Sequence, residues 1–240
     1  MKADRGLPDR SRAHTFFETD AYAEGNPVIP IRAQLVAQML NGLRGARVLD
    51  LGCGDGSVSR PLLEAGNDVT FVDFSNAMLR RAQARELPAG SGKARYVAAD
   101  VLEWEPDAPY DVVLCIGVLA HIESPSRLLG RVATATRPGG TAIVQTTDVG
   151  RILGRLVTYY SRWRRREGYR LNEFTRAALV ALARGHGLLP SGERRYGFLL
   201  PGTGHLPYRW RLWLEERFAS GLPAKVGTDV LLIFERTSSR

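Results

Sequence analysis

The central part of the chain alternates between two hydrophobic patterns. Short apolar runs of strand length are separated by segments whose apolar residues recur every three or four positions. The first pattern is typical of buried strands and the second of amphipathic helices. We predict strands at 46–51, 68–72, 95–98, 110–116 and 141–145, with helices at 57–65, 75–86 and 126–136 between them. This alternation predicts an α/β fold with a parallel doubly wound sheet, in which ligands bind at the carboxyl ends of the strands.

Segments on either side of this core extend the prediction. Residues 13–43 carry helical periodicity, clearest between Ile31 and Leu40, and are expected to form N-terminal helices. Residues 148–172 are rich in arginine and aromatic residues and break the alternation, so we predict a small cap or lid there. Beyond them we predict a helix at 172–184, a strand at 193–199, a helix at 209–219 and a last strand at 229–235. A chain of 240 residues fits a single domain, residues 1–240.

Composition and charge narrow the possible classes of protein only in part. The net charge is +8, and nearly all the basic residues are arginine. A basic surface attracts nucleic acid, anionic lipid or an acidic small molecule, and it also arises in genomes that favour arginine codons. No apolar run reaches the roughly 18 residues of a membrane span, and residues 1–12 lack a signal-peptide pattern, so a cytoplasmic protein is expected. Cys53 and Cys115 fall in segments predicted to be interior, which fits a reducing compartment.

A glycine-rich turn gives the sharpest chemical signal. Residues 48–56 read VLDLGCGDG, with glycines where the first predicted strand passes into a helix. Glycine allows a tight turn and a close approach of the backbone to a ligand. A plain strand–helix connection is one alternative, and a dinucleotide loop with Ser59 in place of its third glycine is another. Asp50 and Asp55 would repel a pyrophosphate, so the turn better suits a ligand with a cationic amine or sulfonium.

Two further acids follow the next two predicted strands. Asp73 ends the second strand, where a carboxylate can accept hydrogen bonds from both hydroxyls of a ribose. Asp100 follows the third strand, where a carboxylate can accept from an adenine amino group. Helix capping is the alternative role for Asp73, and a solvated loop acid is the alternative for Asp100. The glycine turn and the two acids, each at a strand end, together indicate a nucleoside site.

These features resemble those of class I S-adenosylmethionine-dependent methyltransferases. Residues 48–56 are similar to the first motif of that family, residues 110–121 (YDVVLCIGVLAH) to its fourth-strand motif, and residues 137–140 (RPGG) to the turn before its fifth strand. The resemblance implies a Rossmann-like seven-stranded sheet with an antiparallel last strand, and S-adenosyl-L-methionine as cofactor. It implies no metal. The cofactor-binding residues that it implies are Asp50, Gly52, Gly54, Asp73, Phe74, Asp100, Val101, Leu102, Ile116 and Tyr22.

Methyl transfer to a hydroxyl also requires removal of a proton. His121 follows the fourth predicted strand and is the first candidate base, because its unperturbed pKa lies near neutrality. Its alternative role is packing at the strand–helix junction. His205, in the loop at 201–207, is the second candidate. Aromatic residues are candidates for lining an acceptor pocket, with packing as their alternative role: Tyr159, Tyr160, Trp163, Tyr169, Tyr196 and Tyr208.

We therefore predict a small-molecule methyltransferase, acting on oxygen in secondary-metabolite or cofactor biosynthesis. Nitrogen or carbon as the acceptor atom is an alternative, as is an RNA or protein substrate gripped by the arginines of residues 162–166. The absence of a recognisable RNA-binding domain argues against nucleic acid. An NAD-dependent oxidoreductase and a cofactor-binding module without turnover are hypotheses from other classes. The sequence leaves open whether the protein is a monomer or a homodimer.

Overall fold

A computed structural model describes residues 28–164, 172–198, 206–218 and 227–237. They contain one seven-stranded sheet. Its strands are β1 (Arg47–Leu51), β2 (Asp68–Asp73), β3 (Ala94–Ala98), β4 (Tyr110–Cys115), β5 (Thr136–Thr147), β6 (Leu188–Tyr196) and β7 (Asp229–Arg236).

The strand order is β3-β2-β1-β4-β5-β7-β6. Strands β1 to β5 are mutually parallel, and β7 runs antiparallel to both β5 and β6. Strand β1 pairs in parallel with both β2 and β4, and the chain winds outward from it first through β2 and β3 and then through β4 and β5 on the other side. The doubly wound sheet and the antiparallel last strand are therefore confirmed.

Helices cover both faces of the sheet. They are α1 (Val28–Met39), α2 (Arg60–Glu64), α3 (Asn76–Gln83), α4 (Pro125–Ala135), α5 (Ile152–Arg164), α6 (Arg176–Arg184) and α7 (Tyr208–Phe218). Buried side chains of α4 and α6 pack in one hydrophobic cluster with β4, β5 and β7. Buried side chains of α1, α2 and α3 pack in a second cluster with β1, β2 and β4. Both faces of the central strands are thus shielded from water, as their nearly continuous apolar sequence requires.

Several element boundaries differ from those predicted. The helix expected at 57–65 is confined to Arg60–Glu64, because the glycine turn continues to Ser59 and Pro61 occupies the first helical turn. Strand β6 spans Leu188–Tyr196 instead of 193–199. Strand β5 begins at Thr136, so it includes the predicted turn at 137–140, and its register against β4 shifts between Tyr110 and Val112.

The predicted cap segment contains regular structure. Residues 152–164 form α5, whose Ile152 is 77% exposed and whose Tyr159 is 72% exposed. This helix lies within the segment predicted as a cap or lid, and that role stays a prediction. Among the described helices, none combines the length and apolar character that crossing a membrane needs.

A buried ion pair fastens the end of β5 to β6. Asp148 and Arg195 have side chains only 5% and 6% exposed, and Arg195 Nη2 lies 3.0 Å from Asp148 Oδ2. Asp148 Oδ1 accepts hydrogen bonds from the amides of Gly150 and Arg176, so the same carboxylate also fixes the entry to α6. Burial alone raises the pKa of Asp148, but these amides and Arg195 outweigh it and lower the pKa below its ordinary value. The pair therefore links three elements at the carboxyl edge of the sheet.

Replacing Arg195 should be much more damaging than replacing an exposed arginine. We expect Arg195→Met to lower the free energy of unfolding by about 3 kcal/mol, because it removes the buried counter-ion of the Asp148 carboxylate and leaves only the half-exposed Arg151, 3.9 Å away. Arg137→Met removes the half-exposed partner of Asp111 and should cost no more than ~1 kcal/mol. Urea unfolding of the two variants beside the parent protein measures both values. Equal losses would show that the buried pair contributes no more than the surface one.

Candidate functional site

The glycine turn leaves β1 and is tied to the neighbouring strand. The amides of Gly52 and Cys53 both donate to the Val72 carbonyl at the end of β2, over 2.8 and 3.1 Å. Gly52 and Gly54 have φ of +79° and +54°, a region that favours glycine. A Cβ on Gly52 would lie 2.2 Å from Val118 Cγ2, whereas one on Gly54 would have no described atom within 4 Å. The turn is therefore closely packed at Gly52 and bordered by free space at Gly54.

Asp73 lies beneath this turn at the end of β2. Its side chain is buried; Oδ2 accepts from the Gly54 amide over 2.8 Å and Oδ1 from the Ser75 amide over 2.9 Å. Burial raises the pKa of Asp73 in spite of these two hydrogen bonds. The side-chain cap of α3 is Ser75, whose Oγ accepts from the Met78 amide. Asp73 thus holds the glycine turn, and each of its oxygens keeps a further acceptor site for a ligand hydroxyl.

The two acids of the glycine segment have different environments. Asp50 is 2% exposed and accepts a 2.5 Å hydrogen bond from Ser59 Oγ. Burial raises its pKa to about 7; the charges of Asp73 and Asp55 add to the increase and the Ser59 hydrogen bond opposes it. Asp55 pairs with Arg85 Nη2 at 2.5 Å and accepts from both the amide and the hydroxyl of Ser57. Asp55 is therefore neutralised, and the preference for a cationic ligand depends on Asp50 and Asp73.

The segment after β3 forms a tight turn. Asp100 Oδ1 accepts from the Leu102 amide over 2.8 Å, so this carboxylate stabilises the turn from within. The side chains of Val101 and Leu102 are buried in the core, and their predicted role in cofactor binding stays a prediction. Phe74, next to Asp73, is 39% exposed. An exposed aromatic ring beside the ribose acid is a suitable apolar surface for a flat heterocycle.

The loop after β4 is held at both of its ends. Ile116 is buried, Gly117 has φ of +80°, and the Gly117 amide donates to Gln145 Oε1 over 3.1 Å. A short 3-10 turn, Leu119–His121, follows. The Asn172 side-chain amide donates to the carbonyls of Leu119 and Ile122. His121 is partly exposed at the carboxyl end of β4, on a turn fixed by these hydrogen bonds.

A polar network continues from this loop across the sheet. Gln145 lies near the end of β5, and its Nε2 donates to Asp229 Oδ1 over 3.1 Å. Thr147 Oγ1 donates to the same oxygen over 2.6 Å. Burial raises the pKa of Asp229, while the positive charge of Arg32 on α1 and the hydrogen bonds to the carboxylate oppose the increase. The network joins β5 and β7 to the loop that carries His121.

Sequence reasoning missed Gln145, Asn172 and Asp229. Gln145 gave a usable signal, since it is a polar residue in the apolar run at 141–145. Asp229 and Asn172 gave none: each was placed at the start of an element, where polar residues are ordinary. Their roles depend on contacts across 84 and 53 positions of sequence, which no local pattern reports.

Other predicted residues lie elsewhere. Tyr22 and His205 are outside the described residues, as are the side chains of Tyr160, Trp163, Tyr169 and Tyr208 and the arginines of 162–166. Tyr196 is fully buried and accepts a 2.7 Å hydrogen bond from Arg32 Nε, so it is a core residue instead of a pocket wall.

Cys53 and Cys115 are buried, and burial raises the pKa of Cys115 to about 12, which agrees with packing roles. The described residues contain no group of three His, Cys, Asp or Glu side chains suited to a metal ion.

Comparison with known proteins identifies the class of enzyme. A family model described as a methyltransferase domain matches residues 29–189. The ubiquinone biosynthesis O-methyltransferase of Bordetella avium (strain 197N) is 32% identical over 173 residues, which is 69% of this chain and 71% of that protein. Matches to other curated proteins of the same name cover less, such as 59% and 49% of their length.

Solved structures agree on the fold. The magnesium protoporphyrin IX methyltransferase of Synechocystis PCC 6803, with bound S-adenosylmethionine, has a TM-score of 0.66 at 19% identity, over 98% of this chain and 100% of that one. The 1,6-didemethyltoxoflavin-N1-methyltransferase of Burkholderia thailandensis, with bound S-adenosylhomocysteine, has a TM-score of 0.63 at 20% identity, over 99% and 94%. These findings confirm the expected cofactor class and replace the oxidoreductase hypothesis. The chain belongs to the methyltransferase domain family and is an S-adenosylmethionine-dependent methyltransferase.

Proposed function

We propose that this protein transfers the methyl group of S-adenosylmethionine to a hydroxyl of a small molecule, in the biosynthesis of a cofactor or secondary metabolite. The observation that carries the proposal is the grouping, at one edge of the sheet, of the Asp73-bound glycine turn and the His121 turn. Val118, the residue directly before the Leu119–His121 turn, packs against Gly52 and brings the two turns together. The curated relatives named as O-methyltransferases support oxygen as the acceptor atom.

The residues of the first three strand ends fit the cofactor. Asp73 is placed to accept from the ribose hydroxyls, and the space beside Gly54 admits the ligand close to the backbone. Phe74 offers a surface to the adenine, and Asp100, which follows the neighbouring strand β3, would accept from its amino group. Asp50, buried under the turn, favours positive charge above it. When bound, S-adenosylmethionine supplies a methyl group on a positively charged sulfur.

His121 and its supporting turn then serve the acceptor. The hydroxyl oxygen forms its bond to the methyl carbon, the carbon–sulfur bond breaks with its electron pair remaining on sulfur, and His121 takes the hydroxyl proton. An imidazole suits this task because its ordinary pKa lies near the working pH. Asn172 fixes the turn and so limits the positions that His121 can adopt. Alignment of acceptor and methyl group by such fixed elements is worth up to ~7–11 kcal/mol.

The two glycines allow a direct test of the cofactor position. Gly54→Ala should cost about 1–2 kcal/mol of stability, from backbone strain at positive φ, and should abolish measurable binding of S-adenosylhomocysteine because the new methyl group enters the ligand space. Gly52→Ala should cost more stability, since its Cβ meets Val118 at 2.2 Å. Thermal unfolding and calorimetry separate the two effects. Unchanged affinity in a folded Gly54→Ala protein would remove the ligand from that space.

Asp50 should make cofactor binding depend on pH. The free protein holds a proton on Asp50 up to about pH 7, whereas the bound cation favours the ionised carboxylate, so binding releases that proton at lower pH. Affinity should rise with pH, by at most tenfold per unit, and level off above about 7. For the same reason, Asp50 should make the free energy of unfolding of the free protein fall as pH rises between 3.8 and about 7. Calorimetry on both sides of pH 7 measures the first effect; a pH profile that Asp50→Asn leaves unaltered would contradict the assignment.

Oxygen and nitrogen acceptors of the same shape test the reaction. We expect methyl transfer to catechol to exceed transfer to ortho-phenylenediamine. His121→Ala should lower turnover of catechol by about 10²–10⁴-fold with cofactor affinity unchanged, since it removes a general base. His186→Ala is the matched control, because His186 pairs with Ser126 on the exposed side of α4. Preference for the diamine would replace oxygen by nitrogen, and full activity of His121→Ala would exclude His121 as the base.

A further inference from the structure

We propose that Asp229 is a positioning residue of the methyl-transfer site: it sets the direction of the Gln145 side-chain amide, which in turn holds Gly117 at the edge where cofactor and acceptor meet. The inference rests on the proposed function for its catalytic consequence. The hydrogen bonds that it describes lie within this chain, so experiments without any acceptor can test them.

Asp229 lies at the carboxyl edge of the sheet although it starts its strand. Strand β7 is antiparallel to both neighbours, so its first residue pairs with Thr147 at the end of β5 and with Tyr196 at the end of β6. This is the same edge at which β4 ends at Cys115 and is followed by Ile116 and Gly117. At this edge a single side chain, that of Gln145, connects the Asp229 carboxylate to the loop that precedes His121.

The charge of Asp229 dictates how Gln145 is oriented. Asp229 Oδ1 accepts from both Gln145 Nε2 and Thr147 Oγ1, so Gln145 turns its NH₂ group towards Asp229. The carbonyl oxygen of Gln145 then faces the Gly117 amide, which donates to it over 3.1 Å. The reverse orientation would place two oxygens against each other and an NH₂ group against an N–H. Both ends of Gln145 are therefore specified by a single charge.

The surroundings of Asp229 are shaped for this carboxylate. Thr147 Oγ1 donates to its Oδ1 over 2.6 Å. On the other side, Gly197 has φ of +79°, and a Cβ there would lie 2.7 Å from Asp229 Oδ2. Among the described residues, the positive charge of Arg32, from α1, lowers the pKa of Asp229. Three separate segments thus accommodate the Asp229 carboxylate. Thr147 supplies a hydroxyl donor, Gly197 leaves space because it has no side chain, and Arg32 supplies a positive charge.

Holding Gly117 restrains the whole loop after β4. Asn172 anchors the far end of that loop through Leu119 and Ile122, so Gln145 supplies the anchor at the near end. Without the near anchor, Gly117 has the freedom of a glycine at positive φ, and the position of His121 relative to the cofactor becomes less defined. We expect a loss of turnover larger than any change in cofactor affinity.

Exchanging the two side chains tests the orientation directly. Asp229→Asn removes the charge that directs Gln145, and Gln145→Glu sets two carboxylates against each other. In the double variant, the carboxylate at position 145 can accept from both the Gly117 amide and the new amide at position 229, so the chain of hydrogen bonds is restored at the same net charge. With ¹⁵N-labelled glycine, we expect Gly117 amide exchange to be about tenfold faster in each single variant. Exchange in the double variant should return to near the parent rate.

Catechol turnover should follow the same order, with kcat reduced in the single variants, partly recovered in the double variant, and KM for the cofactor little changed. Asp111→Asn is the control, because Asp111 accepts from the Arg47 amide at the opposite edge of the sheet. Thermal unfolding of every variant shows whether it folds. Unaltered Gly117 amide exchange in folded single variants would overturn the proposal. So would Gly117 amide exchange in the double variant that is as fast as in the single variants. If the parent does not methylate catechol but the exchange pattern holds, the positioning stands and the hydroxyl acceptor fails.

Discussion

The site depends on two carboxylates that are buried at the ends of adjacent strands. Burying an ionised carboxylate is costly unless hydrogen bonds replace the water it loses. Asp73 receives two backbone amides, whereas Asp50 receives one serine hydroxyl, and the pKa of Asp50 is raised to about 7. The glycine turn supplies one of the two amides, that of Gly54, and Ser75 supplies the other. Backbone groups therefore replace the lost water at Asp73, whereas a single hydroxyl does so at Asp50.

The loop after β4, where we propose that the acceptor binds, is held in a different way. Side chains from other elements keep it in place. Gln145 on β5 and Asn172 before α6 use amides that donate and accept at once, so each can bridge backbone groups that would not bind each other. The glycine turn is thus held by contacts between neighbouring strand ends, and the loop after β4 by side chains from distant segments.

The sequence predicts what local patterns encode. Hydrophobic periodicity locates the parallel strands, and the acids at three strand ends indicate the nucleoside site, because the sheet topology brings consecutive strand ends together. The start of β5 is not predicted, because the Pro-Gly-Gly segment is absorbed by a register shift against β4 that only pairing reveals. Asp55 is misjudged for a similar reason, since its partner Arg85 lies 30 positions away.

The position of β7 in the sheet affects the order in which the molecule can be completed. This strand fills the gap between β5 and β6, and Asp229 meets Thr147 across 82 positions of sequence. During synthesis, β5 therefore keeps an unpaired edge, and β6 has no neighbour in the sheet, until the strand that joins them has left the ribosome. An open edge of this kind can pair with other chains, so the emerging polypeptide is most prone to aggregation just before its last strand is available. Long-range closure also slows folding, because the entropy of ordering the intervening chain is lost before the final pairing forms.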